Sequence, residues 1–130
     1  MAKILIIEDN EMNLTLVQFL LQRSGYTIRS ARDAEAGLTL AAECQPDLIL
    51  MDIHLPGMDG LDATKRLKRE SATQAIPVVA LTALAMTGDE ARIRAAGCDG
   101  YIAKPIDYRK FLETVALHLA SAAAHVSDHV

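Results

Sequence analysis

Residues 46–52 read Pro-Asp-Leu-Ile-Leu-Met-Asp, in which an apolar run lies between two aspartates. A short apolar run without polar alternation is typical of a strand that is covered on both faces, as the strands of parallel sheets are. We therefore predict a buried strand over Asp47–Met51, and we expect Asp52 to follow its carboxyl end.

Short apolar runs alternate with helical patterns along the rest of the chain. Strands are predicted over Lys3–Ile7, Tyr26–Ser30, Asp47–Met51, Pro77–Leu81 and Gly100–Ala103. Apolar residues three or four positions apart indicate amphipathic helices around residues 14–21, 34–42, 61–67, 86–96 and 112–119. Asn10 and Asp59 are expected to cap helices, and Gly25 to end one. The order βαβαβαβαβα calls for a doubly wound parallel sheet with helices on both faces.

The chain has 130 residues, enough for one domain with its own core. Its net charge is −4 and its Lys and Arg residues are scattered, which argues against direct binding of nucleic acid. The apolar runs are too short to span a bilayer, and no signal peptide precedes the first strand. Cys44 and Cys98 form no C-x-x-C pattern, so we expect reduced thiols in a cytoplasmic protein. We expect a domain over residues 1–122 and a loosely ordered tail over 123–130.

Polar residues follow the predicted strands at the edge where open α/β sheets bind their ligands. Glu8 and Asp9 follow the first strand, and Asp52 follows the third. If these strands are neighbours, the three carboxylates crowd one rim, where like charges disfavour one another's ionisation. A divalent cation with oxygen ligands is the natural counterion, and Mg²⁺ suits a shallow site that shares its ligands with a phosphate.

Two residues after the fourth and fifth strands complement these carboxylates. Lys104 supplies a positive charge, and its bond to Pro105 can be cis or trans, which the sequence does not fix. Thr82 supplies a hydroxyl that can donate to a phosphoryl oxygen. Taken singly, a carboxylate after a strand also fits an ordinary helix cap, Lys104 a surface lysine and Thr82 a strand threonine. Together they indicate a phosphoryl-transfer site with Asp52 as the nucleophile.

Several stretches carry a resemblance to a known family. The chain resembles the receiver domain of two-component response regulators over nearly its whole length, and it is most similar to single-domain members that regulate cell division. The resemblance implies a flavodoxin-like receiver fold, with five parallel strands in the order 2-1-3-4-5 and five flanking helices. It also implies a stand-alone regulator without an output domain, which the position of Met1 favours over a receiver cut from a hybrid kinase. The matching stretches are Ile6–Asn10, Pro46–Asp52, Leu55–Gly60, Leu81–Ala83 and Lys104–Pro105.

The resemblance assigns roles to the residues at the strand ends. Asp52 resembles the phosphoacceptor and, like Asp9, a direct Mg²⁺ ligand. Glu8 would act on the metal largely through water, and the backbone carbonyl of His54 would be a further ligand. Lys104 would bind the phosphoryl oxygens.

The resemblance also implies a conformational switch. Thr82 would move toward the phosphoryl group, Tyr101 would change rotamer, and the face made by the fourth helix, fifth strand and fifth helix would change shape for a downstream protein. The phosphodonor would be a sensor histidine kinase or a histidine phosphotransfer protein, recognised near Asn13, Leu14 and Val17. We expect a monomer with no membrane contact, acting either as an allosteric binder or as a relay carrier.

Two positions that vary within the family control how long the phosphoryl group survives. These positions are His54 and Leu84, and neither side chain is a carboxylate or an amide that readily orients an attacking water. We therefore predict slow hydrolysis, and no enzymatic activity beyond the chain's own phosphotransfer and dephosphorylation.

Two other classes share parts of this pattern. A haloacid-dehalogenase phosphatase also uses an aspartyl nucleophile, but its second Asp would stand where this chain has His54. A flavodoxin-like flavin binder needs small hydroxylated residues after the first strand, where this chain has Glu8-Asp9-Asn10-Glu11. Both alternatives are therefore disfavoured.

Overall fold

A computed structural model describes the backbone of residues 2–83 and 87–128, and the side chains of residues 2–83 and 90–120. Five strands and five helices alternate along the chain. The strands are β1 (Lys3–Ile7), β2 (Thr27–Ala31), β3 (Leu48–Asp52), β4 (Val78–Thr82) and β5 (Gly100–Ala103). The helices are α1 (Glu11–Arg23), α2 (Ala34–Cys44), α3 (Gly60–Arg69), α4 (Thr87–Ala95) and α5 (Tyr108–Asp128).

The strands form a parallel sheet in the order β2-β1-β3-β4-β5, which confirms the predicted fold. Because the order reverses between β1 and β3, the loops that follow these two strands diverge to opposite faces and leave a crevice at the carboxyl edge. Glu8 and Asp9 follow β1 at this edge, and Asp52 is the last residue of β3.

Two apolar layers cover the sheet. On one face, side chains of β1, β3 and β4 pack against α2, α3 and α4, and on the other they pack against α1 and α5. On the second face, Leu14, Val17 and Leu21 of α1 and Phe111 and Val115 of α5 are buried. All five residues of β3 are buried, as expected for the central strand of a sheet covered on both faces. Among the described residues, no helix combines the length and the apolar character that crossing a membrane requires.

Strands β3 and β4 end one residue later than the sequence pattern predicted. Asp52 pairs with Leu81, and the N–H of Ile53 donates to the Leu81 carbonyl at 3.2 Å, so pairing continues past the apolar run. Thr82 pairs with Ala103 in the same way. Asp52 and Thr82 therefore stand on the last residues of β3 and β4, where neighbouring strands hold the backbone.

Helix ends follow the predicted signals. Asn10 and Asp59 cap α1 and α3, because each side chain accepts the N–H three residues further on. Gly25 follows α1 with a φ of 91°, the left-handed region that favours glycine.

The predicted start of the fourth helix, Met86, lies outside the described residues, and so does Leu84. Helix α5 continues to Asp128. The loosely ordered tail over residues 123–130 stays a prediction.

Candidate functional site

Three carboxylates meet at the crevice. Glu8 follows β1 and is fully buried, Asp52 ends β3 and is 3% exposed, and Asp9 is exposed at the rim. One carboxylate oxygen of each residue lies within 4.8 Å of those of the other two. The predicted cluster therefore forms, because β1 and β3 are neighbours in the sheet.

Lys104 reaches into this cluster from the loop after β5. Its Nζ lies 2.8 Å from Glu8 Oε1 and 3.5 Å from Asp52 Oδ2, and its side chain is only 15% exposed. The Lys104–Pro105 peptide bond is cis. Within the described part of the chain, the buried Glu8 Oε1 has the ion pair with Lys104 as its close polar contact and no other hydrogen-bond partner.

The two buried carboxyls differ in acidity. Burial and the neighbouring Asp52 raise the pKa of Glu8 to about 7, and Lys104 only partly offsets this effect. Burial also acts to raise the pKa of Asp52, but Glu8, the His54 N–H and Lys104 outweigh it and hold that pKa below its usual value. Asp52 is therefore the more acidic of the two carboxyls, and Glu8 is the one that is protonated first as the pH falls.

Backbone hydrogen bonds fix the loop that follows Asp52. The N–H of His54 donates to Asp52 Oδ1 at 2.9 Å, while the His54 side chain itself is exposed. The N–H of Gly60, the first residue of α3, donates to the Ile53 carbonyl at 3.3 Å. The carboxylate of Asp52 is thus held by its own loop, with Oδ2 turned toward Lys104.

Thr82 and Tyr101 lie on neighbouring strands. Thr82 is fully buried at the end of β4, and Tyr101 is half-buried on β5, opposite Ala80. Side chains alternate along a strand, so Thr82 shares its face with Ala80. Both Ala80 and Tyr101 belong to the apolar layer that includes α4. The two residues predicted to form the switch therefore lie on one face of the sheet.

A cleft of about 670 Å³ opens the site to solvent. Asp52, Lys104 and Ala83 line it, and residues from the start of α1, including Met12, form one wall. Sequence reasoning missed Met12, which is 83% exposed. The signal was present: Met12, Leu16 and Phe19 form a second apolar stripe on α1 that the core does not use.

Two of the three residues around which recognition on α1 is predicted are buried. Leu14 is 7% exposed and Val17 is fully buried, because both pack onto the sheet. They cannot meet a partner. Asn13 lines the cleft as predicted, but the exposed apolar residues of this helix are Met12, Leu16 and Phe19.

The donor set fits a hard divalent cation. Three carboxylates, of which Asp9 is exposed, converge at the crevice, and within the described chain the buried Glu8 Oε1 has no hydrogen-bond partner besides its ion pair with Lys104. Oxygen-only ligands with an open, hydrated side are what Mg²⁺ accepts. The ligand atoms present and their arrangement therefore fit a Mg²⁺ site.

The fold and this cluster define a class of protein. The family model of the response regulator receiver domain matches residues 4–116, and the chain belongs to that family. It is 52% identical over 120 residues to the polar-differentiation response regulator DivK of Brucella anthropi, covering 92% of this chain and 97% of that protein. The DivK of Brucella ovis matches at the same identity and coverage. The resemblance read from the sequence is thus confirmed, and the phosphatase and flavodoxin alternatives fall away.

Solved structures agree with this assignment. The receiver domain of the sensor histidine kinase PA1611 from Pseudomonas aeruginosa is 31% identical with a TM-score of 0.85, over 92% of this chain and 98% of that one. That protein has a magnesium ion coordinated in its active-site cleft. A response regulator from Chloroflexus aurantiacus has a TM-score of 0.88 at 28% identity, over 92% of this chain and 98% of that one.

Proposed function

We propose that this chain is a phosphoacceptor switch that takes a phosphoryl group on Asp52 from a phosphohistidine donor in the presence of Mg²⁺. The observation that carries this proposal is the meeting of Asp52, Glu8 and Asp9 with the Lys104 ammonium at one crevice. Carboxylates alone would repel a phosphoryl group. A cation site beside the Lys104 ammonium makes the electrostatic potential around Asp52 favourable for a phosphoryl group, and Asp52 is the oxygen nucleophile.

The chemistry is a single displacement at phosphorus. An Asp52 carboxylate oxygen forms the new O–P bond while the N–P bond to the donor histidine breaks, and the bonding pair leaves with the donor's imidazole, which ends neutral because its other ring nitrogen carries a proton. The low pKa of Asp52 keeps this oxygen ionised at neutral pH. Lys104 and Thr82 bind the phosphoryl oxygens. Mg²⁺, held by Asp9, Asp52 and the His54 carbonyl, with Glu8 acting through water, supplies charge neutralisation when bound.

The exposed stripe of α1 is the surface that meets the phosphodonor. Met12 lies both in this stripe and at the wall of the cleft, so the stripe is continuous with the approach to Asp52. Leu16 and Phe19 extend it away from the site at helical spacing, which suits an apolar contact with a sensor kinase or a histidine phosphotransfer protein.

The phosphorylated state is read by a downstream protein at the face of α4, β5 and α5, through Thr82 and Tyr101. This switch acts in the cytoplasm and in polar differentiation, the process for which two of the chain's relatives are named.

The phosphorylated state hydrolyses slowly. His54 is exposed beside the acceptor, and its imidazole is a poorer orienting group for an attacking water than a carboxylate or an amide. The decay of the acyl phosphate after removal of the donor measures this lifetime. A half-life of only seconds would contradict the assignment.

The direct test is phosphorylation by a small donor. The protein is incubated with Mg²⁺ and acetyl phosphate, and its intact mass is followed. One phosphoryl group should be added and then lost on hydroxylamine treatment, and it should be absent without metal and from Asp52→Asn. Asp62→Asn, an exposed carboxylate of α3, serves as the matched control and should be labelled like the wild type. Labelling of Asp52→Asn would show that another residue is the acceptor.

A further inference from the structure

Gly60 touches the backbone of the phosphoacceptor. It is buried at the first position of α3, and a Cβ built on it would lie 2.7 Å from Ile53 Cα and 2.9 Å from the carbonyl carbon of Asp52, with the Asp52 carbonyl oxygen closer still. All three atoms are backbone. The side chain is excluded by space alone, because Gly60 is not in the left-handed region that otherwise selects glycine.

The same stretch of backbone is restrained from two further directions. On the sheet side, the Ile53 N–H donates to the Leu81 carbonyl at 3.2 Å. Ahead of it, the His54 N–H donates to Asp52 Oδ1 at 2.9 Å and so orients the carboxylate. The Gly60 N–H closes the arrangement by donating to the Ile53 carbonyl at 3.3 Å. If α3 pushed the Asp52–Ile53 peptide toward β4, at least one of these hydrogen bonds would be disturbed.

We infer that Gly60 is a positioning residue, which sets the orientation of the Asp52 carboxylate by letting α3 rest directly on the Asp52–Ile53 peptide. This role rests on the proposed function of Asp52. A methyl group at residue 60 displaces the acceptor backbone by about 1 Å at the Asp52 carbonyl oxygen before ordinary contact distances return. Since the His54 N–H is part of the displaced loop, its hydrogen bond to Asp52 Oδ1 lengthens or breaks.

Gly37 offers a matched control. It is also a buried glycine in a helix that packs on the sheet, and a Cβ there would be just as crowded. Its neighbours, however, are atoms of the Ile7 side chain, with Cγ1 at 2.7 Å, and a side chain can turn away. Gly37→Ala and Gly60→Ala therefore both crowd the core, but only Gly60→Ala pushes on the acceptor backbone.

The experiment compares the two variants with the wild type by urea denaturation, by the rate of labelling with saturating acetyl phosphate and Mg²⁺, and by hydrogen exchange of the His54 amide without donor or metal. Both variants should lose stability. Only Gly60→Ala should be labelled more slowly, by about 10- to 100-fold, because a displacement near 1 Å of a reacting group lowers a rate by about that factor. Only this variant should also lose protection of the His54 amide against hydrogen exchange.

The outcomes separate this role from the proposed function. If the wild type is not labelled, the proposed function fails, and protection at His54 still decides whether Gly60 positions the loop. If the wild type and Gly60→Ala are labelled at equal rates with equal protection, the positioning role is overturned.

If Gly60→Ala does not fold, trimethylamine oxide is added to restore the compact state. Thr64→Val, which removes the 2.8 Å bond from Thr64 Oγ1 to the Gly60 carbonyl, is then the second variant. An unchanged rate and unchanged His54 protection in Thr64→Val would equally overturn the role.

Discussion

Lys104 and Glu8 form an ion pair of 2.8 Å although they follow strands that are not neighbours in the sheet. Strands β3 and β4 lie between β1 and β5, so the strand axes are three spacings apart, about 14 Å. The loop after β5 must therefore bring the Lys104 side chain back across the carboxyl edge. It passes over Asp52, which lies 3.5 Å from the same ammonium.

Replacing Lys104 by Met should separate catalysis from metal binding. Met keeps much of the length of the side chain but removes the charge, so labelling of Asp52 by acetyl phosphate should slow by about 100-fold, the usual cost of losing one preorganised donor. Mg²⁺ should bind at least as tightly as before, since a competing cation has left the carboxylates. Rates and Mg²⁺ titrations measure both effects.

Lys110→Met on the exposed surface of α5 is the control for the lost charge, and it should change neither quantity. Weaker Mg²⁺ binding together with slower labelling in Lys104→Met would mean that Lys104 mainly holds the site together.

The raised pKa of Glu8 makes the metal-free protein sensitive to pH. Because the pKa is 4.5 for the free group and about 7 in the folded state, the folded state binds more protons between these values, and stability falls as pH rises through this window. The lowered pKa of Asp52 acts in the opposite direction, but only below its ordinary value of 3.8. The free energy of unfolding should therefore drop on the order of 1 to 3 kcal/mol between about pH 5 and pH 8, since one pKa unit corresponds to about 1.4 kcal/mol.

Glu8→Gln carries no charge at any pH and should flatten this decline. Urea denaturation in the presence of a chelator, repeated across the pH range, gives the comparison. Glu113→Gln, on the exposed surface of α5, should keep the slope of the wild type. An equal slope in Glu8→Gln would show that another group titrates.

Binding of Mg²⁺ should stabilise the folded protein through Asp9. A ligand that binds only the folded state at 100 times its dissociation constant adds about 2.7 kcal/mol. The urea midpoint should rise with MgCl₂, return with EDTA, and respond little in Asp9→Asn. Glu43→Gln, an exposed carboxylate on α2, should respond like the wild type. A full response in Asp9→Asn would remove this residue from the ligand set.

The sequence was sufficient for the architecture because the sheet is covered on both faces. Such strands are continuous apolar runs, so Lys3–Ile7 and Gly100–Ala103 were predicted at their observed bounds. The second, third and fourth strands were predicted one residue early. In the third and fourth, hydrophobicity ends before pairing does. Asp52 and Thr82 are polar, yet their backbones remain in the ladder.

The membership of the site was also predictable, but its contacts were not. Parallel strands bring their carboxyl ends to one edge, so the strand pattern alone places Glu8, Asp9 and Asp52 together. The reach of Lys104 across two strands depends on the conformation of a loop, which no periodicity encodes. The exposed stripe of α1 was missed because Leu14 and Val17 fit the core and the recognition surface equally well in sequence, and only burial separates them.

The hydroxyl of Thr82 can be isolated by a pair of substitutions. Thr82 is fully buried at the end of β4, so Thr82→Val keeps the branched shape and removes the hydroxyl, whereas Thr82→Ser keeps the hydroxyl and removes a methyl group. If the hydroxyl donates to a phosphoryl oxygen, Thr82→Val should be labelled about tenfold more slowly, which corresponds to about 1.4 kcal/mol, while Thr82→Ser stays near the wild type. Initial rates of labelling measure this difference, and urea midpoints show whether both variants are folded. Slower labelling in Thr82→Ser than in Thr82→Val would assign the role of this residue to packing at the strand end and not to its hydroxyl.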